Sequence, residues 1–396
     1  MNLSTKMMGL GKKSSVIREI FEYSKKRKSE IGAENVFDFS IGNPSVAAPE
    51  VINKTMCRLL QEKDPVLLHG YTAAAGDPAV RQKIADSINR EFHAGVGGDL
   101  IYMTCGAAAS LTISLAAVTE PEDEVIVFAP FFPEYRVFVE HAGAKLVTVP
   151  CQAPSFQLNF KALEGAINPH TKALIINSPN NPTGVIIPEQ DLEKLGKLLN
   201  QKEAEYGHTI YLIADEPYRK LVWNQEAVPF VPAYYDDTLV CYSFSKAVSL
   251  PGERIGYILV SPTMKDAGDV YAAVCGAGRA LGFVCAPSLL QFTVAECVDE
   301  TADFDVYRQN RALLAEELSR IGYEAAPPDG AFYLFMKALE PDAYAFCERA
   351  KQYELLLVPS DDFGCHGYVR IAYCVTTEQI KRAIPAFEKL YEDYQK

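Results

Sequence analysis

The spacing of apolar and polar positions divides the chain near residue 304. Ahead of that point, short apolar runs bounded by turn residues alternate with longer stretches of helical spacing. Val16, Ile17, Ile20 and Phe21 recur at helical intervals and predict a helix from Ser14 to Lys28 with a lysine-rich outer face. Phe37 to Ile41 is a short strand pattern running into Gly42-Asn43-Pro44-Ser45. A loop carrying Tyr71-Thr72 and Gly76-Asp77-Pro78 precedes a helix from Ala79 to Phe92. Strands are then expected at Ile101–Thr104, Val125–Phe128, Leu146–Val149, Ala173–Asn177, Ile210–Ala214, Leu239–Tyr242 and Ile255–Val260. Helical stretches separate them, ending near Thr119, His141 and Tyr206. This alternation implies an α/β architecture: a mostly parallel sheet with helices on both faces.

Beyond residue 304 the pattern changes. A helix from Tyr307 to Ile321 is followed by the apolar run Gly330 to Phe335, a helix from Tyr344 to Tyr353, and strands at Leu355–Pro359 and Tyr368–Tyr373. A last helix starts near Thr376, where Thr376 and Gln379 have the spacing of a capping box. These elements read as a smaller α+β domain. We therefore expect a large domain over 49–290 and a small domain over 291–396, which the N-terminal segment 1–48 joins.

Composition narrows the functional classes. The 396 residues are 48% hydrophobic and 22% charged, enough for a large core. The formal net charge of −13 argues against a nucleic-acid partner, which needs a basic footprint. The N-terminal stretch lacks a signal-peptide apolar region, and no apolar run is long enough to span a membrane. Ten cysteines are scattered without a paired motif, and six histidines show no metal-ligand spacing. The expectation is a cytoplasmic protein with reduced thiols and no metal. Gly95-Val96-Gly97-Gly98 neither follows a strand nor opens a helix, so it reads as a turn, not a dinucleotide motif.

Candidate chemistry gathers at predicted strand ends, where open α/β sheets bind ligands. Asn181, Asp215, Tyr218 and Lys246 all fall just past such ends. A lysine held there and kept from water can lose its proton and attack a carbonyl, although a lone lysine is ordinarily a solvated surface residue. Ser243, Ser245 and Arg254 beside it could hold a phosphate. Gly106, Ala107 and Ala108 lead a strand into a helix through small residues, which either frees backbone N–H groups for a phosphate or reflects tight packing. Gly42 marks a turn or a backbone that faces a ligand. Arg370 sits mid-strand between Val369 and Ile371, so it pairs with a carboxylate or binds something.

Together these segments resemble the class I and II pyridoxal-phosphate-dependent aminotransferases of fold type I. The motifs occur in the family's order: Tyr71 in its Tyr-Thr loop, Gly106-Ala107-Ala108, Pro130-Phe131-Phe132-Pro133-Glu134-Tyr135, Asn181-Pro182-Thr183-Gly184, Asp215-Glu216-Pro217-Tyr218, Ser243-Phe244-Ser245-Lys246 with Arg254, and Arg370. The resemblance implies pyridoxal 5'-phosphate as cofactor and Lys246 as the Schiff-base lysine and proton carrier. It implies Asp215 at the pyridine nitrogen, Tyr218 and Asn181 at the ring hydroxyl, and Phe132 on the ring. Ala107, Ala108, Ser243, Ser245 and Arg254 would take the phosphate. Tyr71 would reach the phosphate of a neighbouring subunit, which implies a homodimer. Arg370 would take the α-carboxylate, with the Gly42 backbone nearby.

The implied reaction moves an amino group between an L-amino acid and a 2-oxo acid by a ping-pong cycle, with an aspartate- or glutamate-like partner favoured. Ala108 departs from relatives that carry a hydroxyl or a lysine at that position. A second carboxylate would then be read elsewhere, and Arg279 in Gly276-Ala277-Gly278-Arg279, expected as a loop, is the candidate; the plain alternative is a solvated arginine. A lyase or decarboxylase using the same cofactor is the closest rival, separable by its products. A ligand-sensing domain behind a DNA-binding segment is disfavoured by the few residues ahead of Gly42, and a silent relative by the presence of Lys246, Asp215, Tyr218, Arg254 and Arg370.

Overall fold

The computed structural model describes residues 3–12, 16–223, 227–326 and 328–396. In chain order its strands are β1 (Phe37–Asp38), β2 (Ile101–Thr104), β3 (Glu124–Ala129), β4 (Lys145–Pro150), β5 (Thr171–Asn177), β6 (Tyr211–Asp215), β7 (Thr238–Ser243), β8 (Gly256–Val260), β9 (Ala325–Ala326), β10 (Tyr333–Lys337), β11 (Leu355–Leu356), β12 (Val358–Pro359) and β13 (Tyr368–Ala372). Seven of them form one sheet in the order β2-β8-β7-β6-β5-β3-β4. All neighbours are parallel except β8, which runs antiparallel to both β2 and β7.

Alternate residues of these strands feed two cores. Leu212 and Ala214 of β6 pack on one face, against the helices Pro78–Phe92, Glu189–Tyr206 and Ser288–Glu296. Ile213 packs on the other, against Ala107–Val118, Glu134–His141 and Ala267–Ala280. A sheet covered on both faces needs apolar residues at every position, and the strands accordingly read as unbroken apolar runs. A second, antiparallel sheet has the order β12-β13-β10-β9 and packs its core with the helices Asp305–Ile321 and Thr377–Tyr394. The short parallel pair β1–β11 ties the segment ahead of Gly42 to this unit.

Several expectations are corrected. The strand expected over Phe37–Ile41 keeps only Phe37 and Asp38, because Ser40 turns its carbonyl to Arg370. The strand expected over Leu355–Pro359 divides, β11 pairing with β1 and β12 with β13. Thr376 caps the last helix through the N–H of Gln379, but the Gln379 side chain donates to the Asp38 carbonyl and not back to Thr376. Gly276-Ala277-Gly278-Arg279 is not a loop. It forms the end of the helix Ala267–Ala280, where Gly278 lies so close to Tyr102 that a Cβ would fall 2.2 Å from its hydroxyl. Packing against β2 thus selects helix at glycines that read locally as a turn.

The helix Val16–Ile31 is present, and its expected start at Ser14 lies outside the described residues. The expected division between 290 and 291 falls within Ser288–Glu296, whose Leu290, Val294 and Ala295 belong to the core of the large sheet.

Candidate active site

The site is built where strands of the large sheet end. β6 stops at Asp215, and Pro217, which has no N–H to give to a ladder, follows two residues later. β7 stops at Ser243, whose hydroxyl accepts from the Ser245 N–H at 3.1 Å and caps the single turn Phe244–Ala247. That turn carries Lys246. β5 stops at Asn177, whose amide donates to the Asp215 carbonyl at 2.7 Å and whose oxygen accepts from the Asn181 N–H at 2.7 Å. One asparagine therefore joins two strand ends to the loop that presents Asn181.

These ends open on a cleft of about 330 Å³. Gly42, Ala107, Ala108, Phe132, Asn181, Asp215, Tyr218, Ser243, Ser245, Lys246, Arg254 and Arg370 all line it. At one end Gly106, at φ 91°, starts the helix Ala107–Val118, whose first amides have no acceptor within the helix. The Arg254 guanidinium lies beside Gly106, 3.0 Å from where a Cβ would stand. Together with the Ser243 and Ser245 hydroxyls, 2.7 Å apart, these groups form a cradle suited to a phosphate.

Asp215 is buried, and burial pushes its carboxyl up to about 7, with Glu216 adding to the rise and the Tyr135 hydroxyl opposing it. Tyr135 donates to Oδ2 at 2.5 Å, while Oδ1 has no partner among the described residues. Lys246 donates from Nζ to the Gly42 carbonyl at 2.7 Å. Burial brings its amine down to about 8, helped by Arg254 and Arg370 and opposed by Cys374. Arg370 is 2% exposed and has no carboxylate partner among the described residues. It donates to the Ser40 carbonyl at 2.5 Å and to Asn181 Oδ1 at 3.1 Å, and its Nε has no partner among the described residues.

A buried lysine kept short of its proton, a buried carboxylate with a free oxygen, a phosphate cradle and a buried guanidinium thus face one another. The family model described as "Aminotransferase class I and II" matches residues 34–387. The chain belongs to this family. Among individual aminotransferases, it is 32% identical to a probable aspartate/prephenate aminotransferase of Thermus aquaticus over 87% of this chain and 89% of that one. It is 29% identical to an aspartate aminotransferase of Thermotoga maritima, over 94% and 96%. In three dimensions it matches an amino transferase of Eubacterium rectale with a TM-score of 0.98, 54% identity and full coverage of both chains. An aspartate aminotransferase of Thermus thermophilus with maleate matches at a TM-score of 0.86 and 26% identity, over 98% of this chain and 100% of that one.

Two aminotransferase residues singled out by resemblance lie outside this chain's own cleft. Tyr71 is 98% exposed, and Arg279 is exposed at the end of its helix. Conversely, Ile17 and Tyr333 line the cleft, and Tyr135 holds Asp215 from behind. Tyr135 and Tyr333 sit inside runs that the apolar pattern marks, but only the contact with a distant partner distinguishes them from core aromatics. Ile17 carried no signal beyond helical spacing.

Proposed function

We propose that the chain transfers an amino group between an L-amino acid and a 2-oxo acid by a ping-pong cycle, with pyridoxal 5'-phosphate held in the cleft. The observation that carries this reading is the set of buried, unpaired charges around one cleft: Asp215, Lys246 and Arg370. Burying a charge without a partner is costly, so such groups favour a ligand that matches them. The cofactor, when bound, supplies the electron sink that stabilises a carbanion at the substrate α-carbon.

The chain's own residues do the rest. The free Asp215 oxygen accepts from a protonated ring nitrogen and keeps it protonated. Tyr218 and Asn181 donate to the ring oxygen, and Phe132 covers the ring. The Ala107 and Ala108 amides, Ser243, Ser245 and Arg254 bind the phosphate. Arg370 takes the α-carboxylate through its fork. Lys246, neutral above a pH of about 8, would hold the cofactor and would move a proton at the substrate α-carbon.

An aspartate- or glutamate-like donor with a 2-oxo acid such as 2-oxoglutarate is the favoured pair; aspartate is the donor that two of the relatives act on. A second reading, neutral or aromatic donors, is favoured by the cleft wall, which includes Ile17, Ile41, Leu111 and Phe132 and no cation beyond Lys246, Arg254 and Arg370 among the described residues. A homodimer in which Tyr71 reaches the neighbouring site fits its exposure and that of Val66 and Leu67. We place the enzyme in the cytoplasm, where its ten free cysteines match a reducing compartment.

The test is a visible spectrum of the protein with pyridoxal phosphate, followed by single amino acids. A visible band that is lost in Lys246→Ala supports the reading. Conversion by aspartate or glutamate and recovery with 2-oxoglutarate supports the favoured pair, and conversion by phenylalanine alone supports the second. No band in the wild type overturns the proposal.

A further inference from the structure

The run from Gly330 to Phe335 contains one polar group that the proposed cycle leaves unassigned. It is the hydroxyl of Tyr333, the first residue of β10, which lies 2.9 Å from the Tyr218 hydroxyl. Both side chains are buried, and their rings meet edge to face with centroids 5.7 Å apart. Tyr333 is held from two further sides. The Gly42 backbone lies so close that a Cβ there would fall 1.9 Å from the Tyr333 oxygen. The Arg370 guanidinium carbon sits 4.6 Å from the Tyr333 ring centroid.

A phenol has one proton to give and lone pairs with which to accept. Resting on the function proposed above, Tyr218 spends its proton on the cofactor's ring oxygen. Its own oxygen is then left as an acceptor in a buried place, and Tyr333 is the donor in reach. A hydroxyl that accepts a hydrogen bond becomes a stronger donor itself, because chained bonds polarise one another. The guanidinium over the Tyr333 ring works in the same direction, by making that phenol a better donor. Arg370, Tyr333, Tyr218 and the ring oxygen thus form one line of polarisation.

We propose that Tyr333 is a positioning residue that donates to Tyr218 and, through it, stabilises the anionic ring oxygen and lowers the proton affinity of the nitrogen joining Lys246 to the cofactor. It keeps that nitrogen closer to its neutral form at working pH than Tyr218 alone would.

The experiment is a pH titration of the visible band in wild type, Tyr333→Phe, Tyr218→Phe and the double variant, each loaded with pyridoxal phosphate. Phenylalanine keeps the ring and its packing, and the band itself reports an intact site. Tyr333→Phe is expected to raise the midpoint by about half a pH unit to one unit, the scale of one buried hydrogen bond. In the Tyr218→Phe background the same change is expected to add less than about 0.2 unit, because coupled residues are not additive. A midpoint unmoved in Tyr333→Phe, or moved equally in both backgrounds, overturns this inference alone. A wild type without a band overturns the functional reading and this inference with it.

Discussion

Asp215 and Glu216 are adjacent, both buried, and face opposite sides of the large sheet. Glu216 points to the rear, where it pairs with Arg219. That guanidinium is stacked among Phe92, Tyr242 and Phe230, its carbon 5.4, 5.1 and 5.9 Å from their ring centroids. Asp215 points to the cleft and is met by a neutral phenol, not a cation. The arginines divide the same way. Arg219 has its carboxylate, whereas Arg370 on the cleft side has a carbonyl and an amide oxygen. Both regions bury a positive and a negative charge. At the rear the desolvation cost is offset inside the protein, and at the front it is left for a ligand to offset. A buried charge is therefore informative about function only once its partner is known.

The sharpest way to break this comparison is to remove each arginine in turn. Arg219→Met leaves Glu216 buried and unpaired, and urea unfolding of the cofactor-free protein should show a loss of about 3–5 kcal/mol. Arg370→Met strands no carboxylate, so it should lose less than about 1 kcal/mol, while kcat/KM for amino acids falls by about 10²- to 10³-fold. Equal stability losses would erase the distinction between the two faces.

A second effect sharpens the carboxylate half. The Asp215 pKa is raised from 3.8 to about 7 in the folded protein, so the folded state holds a proton that the unfolded chain has released between those values. Stability of the cofactor-free protein should therefore fall as pH rises from about 4 to about 7. Asp215→Asn should flatten that part of the profile, measured by urea midpoints across pH, and an unchanged slope would place the titration elsewhere. The smallest effect is expected at Arg279. It is exposed, so Arg279→Ala should change kcat/KM for aspartate and phenylalanine by no more than about twofold. A loss confined to aspartate would bring Arg279 into a partner's cleft.

Strand ends were legible because the parallel sheet writes them as apolar runs that stop at polar residues. Ile101–Thr104 coincides with β2, Asp215 and Ser243 are the last residues of β6 and β7, and Lys246 comes three residues after Ser243. Other features depend on contacts across the chain. Phe37–Ile41 looks like a whole strand until Ser40 is seen bonded to Arg370, 330 residues away. Gln379 has the right spacing for a capping box, but the Asp38 carbonyl competes for its amide. Tyr333 has the pattern of a core aromatic, and its hydroxyl acquires meaning only from Tyr218, 115 residues earlier. In Gly276–Arg279 local glycine signals point to a turn, and the neighbouring Tyr102 decides otherwise.

The alternation at Asp215 and Glu216 also bears on how this chain tolerates insertions and deletions. Successive side chains in a strand face opposite ways, so one residue added or lost within β6 would exchange the two carboxylates between the faces. The cleft would receive Glu216, with a longer side chain, and Arg219 would face a shorter Asp215. Point substitutions inside β6 can be absorbed one side chain at a time, but a change in its length cannot. Length variation should therefore be accommodated outside the strand, beyond the stretch Tyr211–Asp215.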